Sequence, residues 1–95
     1  MIYNFNNKKI DNKIDLTRIE SEIFEELIKF NGQPVKTKKL TNIIYEKYCL
    51  TNINPQDPSE ESIRTWICKI NKKANKIIKN RPYFGYYIDE EIKMM

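Results

Sequence analysis

The sequence predicts an α+β fold in which a small antiparallel sheet leads into three helices and the chain ends in a β-hairpin. Three observations predict it. Apolar residues alternate in the strand manner over the first sixteen positions (Tyr3 and Phe5, Ile10, Ile14 and Leu16), divided by the turn-forming pairs Asn6-Asn7 and Asp11-Asn12. From Thr17 the apolar spacing changes to that of a helix, and it is interrupted by Gly32 with Pro34 and again by Pro55 and Pro58. Aromatic and branched residues then surround the turn signal Asn80-Arg81-Pro82 and Gly85. At 95 residues the chain suits one domain. The sheet falls in 1–16, a three-helix core in 17–76, the hairpin in 77–88 and a frayed tail in 89–95.

Each helix carries its own start and stop signals. Thr17 with Glu20 makes a capping box, and Ile19, Ile23, Phe24, Leu27 and Phe30 supply an apolar stripe that ends at Gly32. Glu20, Glu22, Glu25 and Glu26 fall outside that stripe, so this helix is expected to expose an acidic side and turn it away from a polyanion. Thr37 can cap the second helix, whose stripe is Leu40, Ile43, Ile44 and Tyr48. Lys36, Lys38 and Lys39 crowd its start against the helix dipole, either as a solvated cluster or as a group facing an external anion. Residues 49–58 read as a loop. Ser59 caps the third helix, Glu60 and Glu61 suit its first turn, and it should run to about Asn75. Ile77, Ile78 and Lys79 then enter the hairpin, and Tyr86 to Ile88 return from it.

Charge is the strongest functional signal. The net charge is +4, yet Ser62 to Ile88 holds seven basic residues and no acidic one. On a helical projection Ile63, Ile67, Ile70, Ala74 and Ile77 share one face, and Thr65, Cys68, Lys69, Lys72 and Lys76 the other. A helix that is apolar inward and cationic outward can lie in a groove lined with phosphates, and it can equally be a solvated face. Histidine is absent, Cys49 and Cys68 are too few for a disulfide scaffold, and no glycine-rich phosphate loop or metal-ligand spacing occurs. No catalysis, metal or cofactor is therefore expected. With no bilayer-length apolar run and no signal peptide, a cytoplasmic location is expected. Fourteen Lys, three Arg, eleven Asn and one Ala point to AT-rich codons, hence to a low-GC bacterium or one of its mobile elements such as a phage.

Residues 1 to 88 resemble the winged helix-turn-helix effector domain of OmpR/PhoB-type response regulators. The resemblance rests on Leu16-Thr17-Arg18-Ile19-Glu20, similar to the Leu-Thr-x-x-Glu that opens the family's first helix, on the alternation of apolar and basic residues from Ile63 to Ala74, and on Gly85-Tyr86-Tyr87-Ile88, similar to the end of the family's wing. Where the family commonly has Arg this chain has Glu61 and Pro82, and the first wing glycine falls at Tyr83. These residues include no receiver domain, and if Met1 is the natural start phosphorylation control of that kind is not expected. The resemblance implies head-to-tail binding of tandem DNA repeats and a loop at 49–58 that can contact RNA polymerase.

The major groove distinguishes all four base pairs, which makes the outward stripe of the third helix, residues 60–75, the candidate reader of double-stranded DNA. Glu61, Thr65, Cys68, Lys69 and Lys72 are assigned to base edges. Arg64, Lys73, Lys76, Lys79 and Arg81 are assigned to phosphates, joined by Lys36, Lys38 and Lys39. Trp66 is expected to pack beside the first helix. Tyr83, Phe84, Tyr86 and Tyr87 either pack the hairpin or stack on bases. The leading expectation is a sequence-specific transcriptional regulator acting as a homodimer or in tandem. The alternatives are a winged-helix module docking an acidic protein surface, and a phage or plasmid partition or replication protein.

Overall fold

The computed structural model describes residues 1–46 and 59–94. Its order is β1 (Ile2–Asn4), β2 (Lys9–Ile10), β3 (Ile14–Asp15), α1 (Arg18–Lys29), α2 (Thr37–Ile44), α3 (Glu60–Lys73), β4 (Lys79–Arg81), β5 (Gly85–Tyr87) and β6 (Lys93–Met94). The expected α+β architecture is present. The turns between β1, β2 and β3 place Lys8, Asp11 and Asn12 at positive φ, which Asn and Asp tolerate because their short side chains bond locally.

Within 89–95, expected to be a frayed tail, Lys93–Met94 form a strand. β6 pairs in parallel with β1, with Ile2 opposite Lys93 and Tyr3 opposite Met94, and gives a four-stranded sheet of order β3-β2-β1-β6. Ile92 packs against the core and holds the end of the chain in place.

α1 is capped as read. Thr17 accepts from the Glu20 N–H while the Glu20 side chain accepts from the Thr17 N–H. α2 departs from expectation: Lys36 occupies the cap position without a side-chain hydrogen bond, and Thr37 is already helical. The cause is Val35, which pairs with Tyr86 of β5 and fixes the chain one residue before the helix can begin. Gly85 permits that approach, since a Cβ there would overlap the Val35 carbonyl.

α3 also ends sooner than its periodicity suggests. Ala74 is its C-cap, and Asn75 and Lys76 both take positive φ. The Lys76 N–H returns to the Asn71 carbonyl in the manner of a Schellman cap. This break redirects the chain into the hairpin while Ile77 and Ile78 both stay in the core. The three helices pack pairwise on Ile23, Phe24, Leu27, Leu40, Ile44, Ile63, Ile67 and Ile70, and Tyr3 and Ile10 cover them from the sheet. No helix among the described residues is long and apolar enough to cross a membrane.

Candidate nucleic-acid interface

Ser59 caps α3 by accepting from the Ser62 N–H, and Ile63, Ile67 and Ile70 anchor the helix in the core. Fixing that face inward forces Glu61, Arg64, Thr65, Cys68, Lys69 and Lys72 outward, and all six are exposed. The Thr65 hydroxyl donates to the Glu61 carbonyl at 3.0 Å, which leaves its methyl as the outward group. Cys68 carries a free, exposed thiol. Trp66 is partly buried against the core, as expected, and borders a groove with Thr17, Ile19 and Lys69.

The hairpin is tied to α3 by Asn71, which the sequence reading did not single out. Its amide donates to the Ile78 carbonyl at 2.9 Å and its oxygen accepts from the Ile78 N–H at 2.8 Å. This pair sets where β4 leaves the helix. Between α3 and the hairpin runs a groove of about 700 Å³ with an apolar floor of Ile67, Ile78 and Tyr86 and a cationic margin of Arg64, Lys72, Lys76 and Lys79. A second concavity brings Lys36, Lys38, Arg64 and Arg81 to the side facing α2. Two elements far apart in sequence thus contribute cations to one surface.

The state of these cations differs from that of four lysines elsewhere in the chain. Among the described residues, Lys36, Lys38, Arg64, Lys69, Lys72, Lys76 and Lys79 form no ion pair, whereas Lys8 pairs with Glu25, Lys9 with Asp15, Lys29 with Glu26 and Lys73 with Glu20. Lys39 lies over the Phe30 ring and Arg81 over Phe84. Lys73, expected to hold a phosphate, is engaged within the chain by an ion pair. Its Nζ lies 2.6 Å from Glu20 Oε1 and 3.3 Å from the Asp15 carbonyl, pulled toward α1 and away from the stripe. Burial alone pushes the Glu20 carboxyl up, but the Lys73 hydrogen bond, the Thr17 N–H and the Lys73 charge outweigh it and hold the group below the usual carboxylate range.

The acidic side of α1 is likewise corrected. Glu20, Glu25 and Glu26 are buried, not displayed. Glu25 accepts from the Tyr3 hydroxyl at 2.5 Å and from Lys8, and Tyr3 is pushed above the ordinary phenol range, first by burial and then by that hydrogen bond. The 49–58 loop, and Tyr48 and Cys49 with it, lie outside the described residues. No group of three metal-ligating side chains occurs among those described.

No family model matches this chain, and no curated protein matches it in sequence. Among solved structures it is similar to the DNA binding domain of the response regulator AdeR, crystallised in complex with an intercistronic region. The TM-score is 0.61 and the identity 19%, over 82% of this chain and 78% of that one. The shared fold is the winged helix: three helices, small sheets and a hairpin beside the third helix.

Proposed function

We propose that this protein binds double-stranded DNA in a sequence-selective manner and acts as a transcriptional regulator, with α3 in the major groove and the β4–β5 hairpin beside it. The observation that carries the reading is the row of exposed, unpaired cations shared by α3, the hairpin and the start of α2, on the same fold as a domain crystallised on DNA. In this arrangement Glu61, Thr65, Cys68, Lys69 and Lys72 read base edges. Lysine donates to guanine O6 and N7, a glutamate accepts from cytosine N4, and the outward methyl of Thr65 meets thymine. Arg64, Lys76, Lys79, Arg81, Lys36, Lys38 and Lys39 hold phosphates and fix the register. One unit of this size covers only about 600–1,000 Å² on DNA, so tight binding uses two copies on adjacent half-sites.

The test is selection of bound fragments from a random DNA library, followed by affinity measured against salt. Neutralising five to seven phosphates gives a slope of log K against log salt of roughly −4.5 to −6, at about 0.9 per phosphate. A flat salt response, or retention of an acidic protein with no duplex retained at low salt, sinks the proposal.

A further inference from the structure

The tip of the hairpin is built in a way that its own folding does not require. The Phe84 N–H donates to the Arg81 carbonyl at 2.9 Å, closing a four-residue turn with Pro82 second and Tyr83 third. Tyr83 sits at φ +69, the backbone region that the third position of such a turn reserves for glycine or asparagine. Its side chain is 96% exposed. A tyrosine that packs a hairpin is covered by its neighbours, and this one is not. Phe84, 56% exposed, instead lies under the Arg81 guanidinium at 5.0 Å, which braces the loop directly behind the tip.

The surroundings select the partner. Tyr83 shares a concavity with Lys36, Lys38, Arg64 and Arg81, and the first residue of α3, Glu60, lies in the same hollow. Those cations attract phosphates, and a projecting aromatic ring within a cationic rim needs a planar apolar face. Nucleic acid offers both groups at the spacing of one nucleotide. An acidic peptide satisfies the cations and leaves the ring unmatched. The tip stands at the N-terminal end of α3, so with that helix in the major groove the ring meets the duplex beside the bases that α3 reads.

We propose that Tyr83 is an aromatic wedge that enters a base step flanking those that α3 reads, partly unstacks it and bends the duplex. This rests on the DNA-binding reading above. Side chains inserted between base steps kink DNA by roughly 20–90°, most easily at flexible pyrimidine–purine steps. Tyr83 would then select for deformable flanking sequence without bonding to any base, an element of specificity separate from the α3 stripe.

The test uses the full chain and the duplex recovered by library selection, with 2-aminopurine placed in turn at each flanking adenine and a donor–acceptor dye pair on the duplex ends. Wild type should raise 2-aminopurine emission at one flanking step and shorten the end-to-end distance. Tyr83→Phe should retain both signals. Tyr83→Gly should lose both, with Tm unchanged or raised because glycine suits the turn. Its affinity should fall on the order of 5-fold, the lower end of base–aromatic stacking since the opened step opposes it. Binding of wild type with no change in emission or distance overturns the wedge and leaves DNA binding intact. Emission that depends on Tyr83 only in mismatched or single-stranded probes also overturns it, in favour of a reader of unpaired bases. Failure of wild type to bind any duplex overturns the reading beneath it. A lower Tm in Tyr83→Gly together with retained bending shows a packing role and overturns it as well.

Discussion

α1 and α3 begin from the same pattern, an apolar stripe backed by charge, and end in opposite states. On α1 the carboxylates of Glu20, Glu25 and Glu26 are buried, and Lys73, Lys8 and Lys29 neutralise them in turn. On α3 the charges of Arg64, Lys69 and Lys72 remain exposed with no ion pair among the described residues. The difference lies in what folds over each helix. The N-terminal sheet and the end of α3 close over the acidic side of α1, whereas nothing in the described chain covers the cationic side of α3. Charge on a helix thus serves cohesion in one case and is left available to a partner in the other.

Lys73 is the point where the two regimes meet, and altering it should give the largest effect. Lys73→Ala leaves Glu20 buried at 2% exposure with only the Thr17 contacts, and should cost about 2–4 kcal/mol, less than for a fully buried pair because the Lys73 side chain is 39% exposed. Glu20→Ala should cost a similar amount, since it also removes the capping box. Thermal or urea denaturation reads both values. A loss under about 0.5 kcal/mol would place Lys73 back among the surface cations.

Next in size is the converse substitution. Lys69→Ala and Lys72→Ala should leave stability within about 0.5 kcal/mol while weakening binding to the selected duplex by roughly 1–3 kcal/mol. Equal losses on selected and unrelated duplexes would reassign them from base edges to phosphates.

The smallest effect is a pH dependence. Because the Glu20 carboxyl is held below its unfolded value of about 4.3, its contribution is full above that pH and is lost as pH falls through the folded value. The Tm gap between wild type and Lys73→Ala should therefore narrow as pH falls below the ordinary carboxylate range and close once it has fallen through the lowered folded value of Glu20. A constant gap would show that Lys73 acts through packing of its stem and not through charge.

Features set by near neighbours were legible in the sequence. The capping box at Thr17 and Glu20, the Ser59 cap, the three helices, the three first strands and the hairpin all depend on residues a few positions apart. What was not legible depends on distant partners. No local rule brings Asp15, Glu20 and Lys73 together, so Lys73 reads from its helix position as one more flanking cation. The pairing of β6 with β1 joins opposite ends of the chain through two residues and leaves no periodicity to detect. The site divides in the same way: the α3 stripe follows from helical geometry, whereas the Asn71 clamp on Ile78 and the left-handed break at Asn75 and Lys76 emerge only once the hairpin is docked.

The parallel pairing of β6 with β1 also bears on the order of folding. β1 and its second neighbour in the sheet are separated in sequence by the whole of the three-helix core and the hairpin. Closing a loop that spans nearly the entire chain is entropically slow. Until then β1 presents an unpaired edge on which another copy can dock. Completion of this sheet is therefore a late step of folding, and a chain cut before Ile92 should leave the β1 edge uncovered and aggregate more readily, as light scattering would read.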